Sequence, residues 1–140
     1  MTRYLLDTVA ISELRRDARR MDPAFALWQQ NVGDVWLSVI TLNELRYGMR
    51  MVQRKDQPFA AILGQWYAQL IAQPQRFRIL AVDRAIAELA ADFRAAHDTP
   101  FEDSLLAATA KVHHLTLATR NTADFEATGI SLVNPWEHGA

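Results

Sequence analysis

The sequence predicts an α/β fold, a three-layer α/β/α sandwich with a mainly parallel central sheet. Short apolar runs typical of buried strands alternate along the chain with longer segments of helical periodicity. Strands joined through helices need right-handed crossovers, which give a parallel sheet covered on both faces. The 140 residues, half of them hydrophobic, are enough to bury one core. Residues 1–140 are therefore predicted to form a single domain.

Five segments are predicted as strands because each is short, apolar and bounded by polar or turn-forming residues. They cover residues 4–6, 36–40, 79–82, 116–119 and 130–133. Asp7 ends the first strand, the Gly33-Asp34 turn precedes the second, and Asn134-Pro135 stops the last.

Seven segments are predicted as helices because their apolar residues recur every three or four positions. They cover residues 9–20, 23–31, 41–54, 59–72, 83–97, 101–114 and 122–127. Two of these helices are preceded by a capping-box pattern, in which Glu44 follows Thr41 by three and Glu102 follows Thr99 by three. Asn121 is placed to cap the last helix.

The bulk composition excludes several classes of protein. With no cysteine, the chain has no disulfide, no thiolate metal site and no cysteine nucleophile. No apolar run approaches the roughly 18 residues of a membrane helix or resembles a signal peptide. We therefore expect a cytoplasmic protein. The net charge of -1 neither requires nor excludes a nucleic-acid partner.

Four acidic residues fall where a predicted strand gives way to a helix, or in the first turn of such a helix. They are Asp7, Glu44, Asp103 and Asp124. In an alternating α/β chain these junctions lie along one edge of the sheet, where ligands usually bind. Carboxylates sharing a crevice repel one another unless a cation neutralises them, and oxygen ligands favour Mg²⁺ or Mn²⁺. The pattern predicts divalent metal chemistry on a phosphate ester.

Helix capping is the alternative role for these acids. Asp7 precedes a helix, Glu44 completes a capping box and Asp124 follows Asn121 by three. Asp103 has no such role. Glu102 is accounted for by the second capping box, so it is left out of the predicted site.

Basic residues are clustered in two places. One cluster, in the helix predicted over 9–20, consists of Arg15, Arg16, Arg19 and Arg20. The other consists of Arg46, Arg50 and Arg54 on the helix predicted over 41–54. Each cluster is either a solvated helix face or a ridge that binds a phosphate backbone, and Arg15, Arg46 and Arg50 are the candidates for such contacts.

At these residues the chain resembles the PIN-domain ribonucleases, most closely the VapC and FitB-type toxins of type II toxin–antitoxin systems. The matching segments are residues 4–8 (YLLDT), 38–48 (SVITLNELRYG), 103–110 (DSLLAATA) and 117–125 (LATRNTADF). Residues 132–136 (LVNPW) also have the family's character. The segments occur in the family's order and extend over the whole domain.

The resemblance implies a PIN-like nuclease in which Asp7, Glu44, Asp103 and Asp124 bind Mg²⁺ or Mn²⁺. A metal-activated water would then hydrolyse single-stranded or looped RNA. The resemblance puts Thr119 and Asn121 beside the acids, positioning a carboxylate or a water. It also implies a homodimer, or a larger toxin–antitoxin assembly. The partner would be a small cognate antitoxin whose C-terminal segment occupies the active-site groove.

Two other functions stay open from the sequence. One is a metal-dependent phosphoesterase acting on DNA or a small phosphate ester. The other is a non-catalytic RNA- or protein-binding module whose acids only cap helices.

Overall fold

The five strands form one parallel sheet, and a computed structural model describes residues 2–139. In chain order the strands are β1 (Tyr4–Leu6), β2 (Val35–Ser38), β3 (Phe77–Leu80), β4 (Thr116–Ala118) and β5 (Leu132–Val133). Their order across the sheet is β3-β2-β1-β4-β5, and each neighbouring pair is parallel. The predicted α/β class and the parallel sheet are confirmed.

Six helices cover the two faces of the sheet. They are α1 (Thr8–Leu14), α2 (Pro23–Gln29), α3 (Val39–Gln53), α4 (Gln57–Ile71), α5 (Arg84–His97) and α6 (Phe101–Val112). Three short 3₁₀ turns complete the described chain, at Thr122–Asp124, Glu126–Thr128 and Pro135–Glu137. No helix within residues 2–139 is long and apolar enough to cross a membrane.

Alternating side chains on the strands separate the two apolar layers. In β1, Leu6 packs with Ile11, Phe25 and other residues of the layer formed by α1 to α4. Its neighbour Leu5 packs with Leu106 and the layer formed by α5 and α6. Because successive residues of a strand point to opposite faces, a three-residue strand is enough to anchor both layers. This is the predicted three-layer sandwich.

The first helix is shorter than its sequence pattern predicts. α1 ends at Leu14, and residues 15–22 form a loop instead of its last two turns. The Glu13 carboxylate accepts a hydrogen bond from the Asp22 backbone N–H at 2.9 Å, while Asp17 accepts from Arg19 N at 3.0 Å. Such local side-chain acceptors compete with helical hydrogen bonds, so the arginines of this segment lie on a loop.

The predicted capping boxes are wrong. α3 starts earlier than predicted, with Ser38 as its N-cap accepting from Ile40 N at 3.0 Å. Glu44 therefore lies in the second turn of α3. α6 has no side-chain cap, because the buried Thr99 hydroxyl donates instead to the Phe93 carbonyl at 3.4 Å. Neither glutamate is explained by capping.

Smaller differences concern the last third of the chain and β3. The helix predicted over 122–127 is two successive 3₁₀ turns, and the Asn121 side chain does not cap the first. The β3 strand begins two residues before the predicted segment, at Phe77.

Candidate active site

The predicted site begins at the topological switch point of the sheet. β1 pairs with β2 on one side and with β4 on the other. From β1 the chain continues to β2 and β3, and from β4 it continues to β5 in the opposite direction, so the connections diverge between β1 and β4. Asp7 follows β1 and Thr119 follows β4, and the Asp7 N–H donates to the Ala118 carbonyl at 3.3 Å. Ligands of open α/β sheets bind in the crevice outside such strand ends.

Asp7 is held rigidly in that crevice. It is the N-cap of α1, where its Oδ1 accepts a hydrogen bond from the Ala10 N–H at 2.8 Å. Only 9% of the residue is exposed. Burial raises the pKa of the Asp7 carboxyl, and hydrogen bonds from Thr119, Ala10 and Val9 offset part of that rise. The capping role predicted as an alternative is therefore real, and it is compatible with ligand binding.

Thr119 connects Asp7 with the turn that follows β4. This side chain is fully buried, and its Oγ1 accepts a hydrogen bond from the Asn121 N–H at 3.1 Å. The hydroxyl is then free to donate its one proton to the Asp7 carboxylate, a bond that lowers the pKa of Asp7. Asn121 contributes its backbone N–H, while the residue itself is exposed.

Glu44 comes to the same crevice from α3. The residue is half-buried, and burial is the main reason that the pKa of its carboxyl is raised. The negative charges of Glu102 and Asp7 raise this pKa further, whereas the nearby Thr8 hydroxyl lowers it. Glu44 therefore lies within electrostatic reach of Asp7.

Asp103 and Asp124 complete the group from the opposite side. Asp103 is half-buried in the first turn of α6, and Asp124 is exposed in the 3₁₀ turn after β4. Burial, then the charges of Asp124, Asp7 and Glu102, raise the pKa of the Asp103 carboxyl. All four predicted acids therefore lie within electrostatic reach of at least one other member of the group.

Sequence reasoning missed two neighbours of the site. Glu102, which had been assigned to a capping box, repels both Glu44 and Asp103. The buried hydroxyl oxygen of Thr8 has no hydrogen-bond partner within 3.5 Å among residues 2–139, and it lies close enough to Glu44 to lower the pKa of that carboxyl. The LLDT segment contained the signal for Thr8, which directly follows Asp7 and begins α1 at the same end of the sheet.

The chemistry of this group fits a divalent cation. Within residues 2–139 the ion pairs formed by acidic residues involve Glu13, Asp34 and Glu88, so no arginine, lysine or histidine neutralises the four acids. As placed, no three acidic or histidine side chains of this part of the chain are close enough to hold a metal ion. Binding a shared cation therefore needs rotation of the more exposed carboxylates, and oxygen ligands suit Mg²⁺ or Mn²⁺.

The three candidate arginines do not lie together. Arg15 lines an apolar cavity of about 260 Å³ that Glu44 also lines. Arg46 and Arg50 line a separate groove of about 700 Å³ between α3 and α4. Arg46 follows Glu44 by two positions, which puts it about 200° around the helix. Arg15 is thus the candidate nearest to the acidic crevice.

Comparison with known proteins agrees with this architecture. The PIN domain family model matches residues 4–130. Toxin FitB of Neisseria gonorrhoeae is 35% identical over 137 residues, covering 94% of this chain and 97% of that protein. VapC ribonuclease Y4jK of Sinorhizobium fredii is 33% identical over 139 residues, covering 95% and 97%.

Solved structures show the same fold. FitAcB from Neisseria gonorrhoeae superimposes with a TM-score of 0.81 at 33% identity, covering 96% of this chain and 99% of that one. A toxin–antitoxin complex from Klebsiella pneumoniae gives a TM-score of 0.64 at 26% identity, covering 94% and 97%. With a family match over most of its length and two such relatives, the chain belongs to the PIN domain family, among proteins similar to the FitB and VapC toxins.

Proposed function

We propose that this protein is a Mg²⁺- or Mn²⁺-dependent endoribonuclease and the toxin of a toxin–antitoxin pair. The observation that supports the proposal is the crevice at the β1–β4 switch point, where each of the four carboxylates lies within electrostatic reach of another and none forms an ion pair with a basic side chain of residues 2–139. Relatives named as a toxin and as a ribonuclease support the same function.

The chain's own residues would prepare the site for phosphodiester hydrolysis. Asp7, the most buried of the four acids, is fixed by Ala10 and Thr119 and would be the anchoring ligand. Glu44, Asp103 and Asp124 would supply the remaining oxygens from three other elements. A bound divalent cation lowers the pKa of a coordinated water and neutralises charge that builds on a phosphate. The hydroxyls of Thr119 and Thr8 would hold the Asp7 and Glu44 carboxylates in orientation.

The decisive experiment compares substrates and metals side by side. End-labelled RNA, single-stranded DNA and a small phosphate ester are each incubated with purified protein plus Mg²⁺, Mn²⁺ or EDTA. We expect cleavage of RNA alone, only when metal is present, and loss of cleavage with Asp103→Asn. Preferential cleavage of DNA or the ester would favour a phosphoesterase. No cleavage together with no metal-dependent change in melting temperature would favour a non-catalytic binding module.

A small antitoxin is the proposed protein partner. The solved toxin–antitoxin complex of Klebsiella pneumoniae supports this, since its fold matches over nearly the whole chain. The antitoxin's C-terminal segment would occupy the active-site groove and exclude RNA. Co-expression with the product of a neighbouring small reading frame should abolish RNA cleavage and yield a stable complex.

We also propose that the protein forms a homodimer. An apolar cavity of about 360 Å³ lies between α3, α5 and α6, with Val39, Ala91 and Phe101 in its walls. Phe101 is 59% exposed, which is unusual for a large apolar side chain, and the alanines of α5 allow a second helix to approach closely. A second copy of the chain could cover this face across a two-fold axis.

A further inference from the structure

The acidic crevice adjoins an apolar cavity that metal binding does not use. This cavity, here called the side cavity, has a volume of about 260 Å³ and lies between α1, α3 and α4. Thr8 and Glu44 form the wall that it shares with the acidic crevice. Its volume is below the roughly 300–1,000 Å³ of sites that enclose drug-sized ligands. It has room for one ring system.

Apart from Ser12 and Arg15, the other walls of the side cavity are apolar or aromatic. Phe59, Leu63 and Trp66 of α4 face Gly48, Met49 and Val52 of α3. Phe59 is 37% exposed, so its ring is accessible. The half-buried indole of Trp66 and the accessible phenyl ring of Phe59 are side chains of the kind on which nucleobases stack.

A single cation stands at the rim of the side cavity. The Arg15 guanidinium carbon lies 5.6 Å from the centroid of the Phe59 ring, a cation–π contact. Arg15 and Glu44 are the two charged residues among the lining residues. The apolar cavity therefore has the acidic group on one side, at Glu44, and a positive charge elsewhere on its wall, at Arg15. This arrangement suits a nucleotide with its reacting phosphate at the acids, its base in the cavity and the next phosphate at Arg15.

We propose that the side cavity binds one extruded base of the RNA, from a nucleotide adjacent to the cleaved bond. This inference rests on the proposed ribonuclease function and adds a specificity subsite to it. A base offers two apolar faces for the aromatic walls and polar edges for Thr8 and Arg15. An aliphatic side chain of a protein partner would fill the same volume but would leave these polar groups unused.

Gly48 offers a way to fill the side cavity without removing any of its walls. A Cβ added at this position meets no atom within 4 Å, so a larger side chain has open space. In a helix that side chain leans toward the preceding turn, which here carries Glu44 and the cavity. Gly48→Leu should therefore occupy the space of the base, whereas Gly48→Ala adds only one methyl group and also improves helix propensity.

The test measures kcat/KM on a short RNA and on copies that lack one base at a time. With the parent protein, removing the base next to the cleaved bond should reduce kcat/KM by about 5- to 150-fold, from the usual energy of base–aromatic stacking. With Gly48→Leu the same removal should change kcat/KM less than twofold. Gly48→Ala should retain most of the parent's sensitivity. Ala95→Leu, which adds equal bulk on the exposed face of α5, serves as the control for added bulk.

Each result decides a different question. The side cavity is not a base subsite if no single base removal lowers kcat/KM of the parent. The same holds if base removal lowers kcat/KM of Gly48→Leu as much as that of the parent, whether or not the variant binds a protein partner less well. If Gly48→Leu cuts no RNA at all, Phe59→Ala replaces it, and an undiminished sensitivity there contradicts the proposal. If the parent cuts no RNA under any metal condition, the proposed ribonuclease function fails instead.

Discussion

Hydrogen bonding from the Thr119 hydroxyl lowers the pKa of Asp7 at the point where β4 and β1 end side by side. The same hydroxyl oxygen accepts from the Asn121 N–H at 3.1 Å, so the turn after β4 fixes the direction of the bond. The conformation of that turn and the orientation of the Asp7 carboxylate are consequently coupled.

Replacing Thr119 with valine should separate the effect of its hydroxyl on the orientation of the Asp7 carboxylate from the effect of its side chain on packing. Thr119→Val keeps the shape of a fully buried side chain but removes the hydrogen bond to Asp7. We expect Mg²⁺ affinity and kcat to fall by about 10- to 100-fold, the usual effect of losing a group that orients a metal ligand. Thr119→Ser should retain most of the parent's Mg²⁺ affinity and kcat, because it keeps the hydroxyl. Equal loss in both variants would mean that Thr119 acts through packing.

Asp7→Asn should abolish RNA cleavage while the protein stays folded. Asparagine caps helices about as well as aspartate, so the bond from the Ala10 N–H survives and the melting temperature should change little. The lost charge removes the anchoring ligand. Asp22→Asn is the matched control, since Asp22 caps α2 in the same way, and it should remain active. An active Asp7→Asn enzyme would argue against the proposed site.

Asp103→Asn should make the metal-free protein more resistant to heat. Asp103 is repelled by Asp124, Asp7 and Glu102, so neutralising it relieves unfavourable charge in the folded state. The same change should reduce the rise in melting temperature that Mg²⁺ or Mn²⁺ causes, because stabilisation by a ligand follows its affinity for the folded state. Differential scanning fluorimetry with and without metal measures both effects. Asp92→Asn on the exposed face of α5 should alter neither.

The effect of metal on stability should grow with pH. The pKa values of Asp7, Glu44 and Asp103 are raised above their ordinary values of 3.8, 4.5 and 3.8. Between the ordinary and the raised pKa, the folded protein binds more protons than the unfolded chain. Rising pH therefore destabilises the metal-free fold through this window.

The destabilisation of the metal-free fold at rising pH can be measured through melting temperatures. As pH rises from about 4 toward 8, the melting temperature of the metal-free parent should fall relative to that of Asp103→Asn, which lacks one of these carboxyls. Over the same pH range, the increase in melting temperature caused by Mg²⁺ should become larger, since protons no longer compete for the carboxylates. A metal effect that is constant with pH would contradict the assignment of these acids as ligands.

Phe101→Glu should shift the protein from dimer to monomer. The substitution puts a charge into the apolar face formed with Val39 and Ala91, and covering this charge in an interface is costly. Sedimentation velocity across a concentration series measures the change. Leu27→Glu, at an exposed leucine of α2 in the other helical layer, should leave the dimer intact. A parent protein that is monomeric at all concentrations would refute the homodimer.

The sequence predicted the strands and the position of Asp7 at the edge of the sheet because both depend on short-range patterns with a simple geometric consequence. Leu5 and Leu6 are apolar on both faces, which is enough to mark β1 as a buried strand, and Asp7 then has to emerge at its carboxyl end. The electrostatic reach of Asp7 to Asp103 follows once the sheet is parallel, because α6 starts at the same edge of the sheet.

The helix starts were harder to predict because several residues compete for one cap. Ser38 lies three positions before Thr41 and takes the cap of α3, which leaves the Thr41 hydroxyl buried inside the helix without a partner. Thr99 bonds to the Phe93 carbonyl through tertiary packing that the sequence does not reveal. The capping explanation of Glu102 is wrong for this reason.

The parallel pairing of β1 with β4 has a consequence for protein synthesis. β1 is translated near the start and β4 near the end of the chain, so Asp7 acquires the support of Thr119 only after most of the domain has been made. A nascent chain can fold α1 to α4 against β1, β2 and β3 while the crevice still lacks Asp103 and Asp124. At about 5–20 residues per second, that interval lasts several seconds. Under the proposed function, a newly made chain would therefore be catalytically silent until the last fifth of the domain is released.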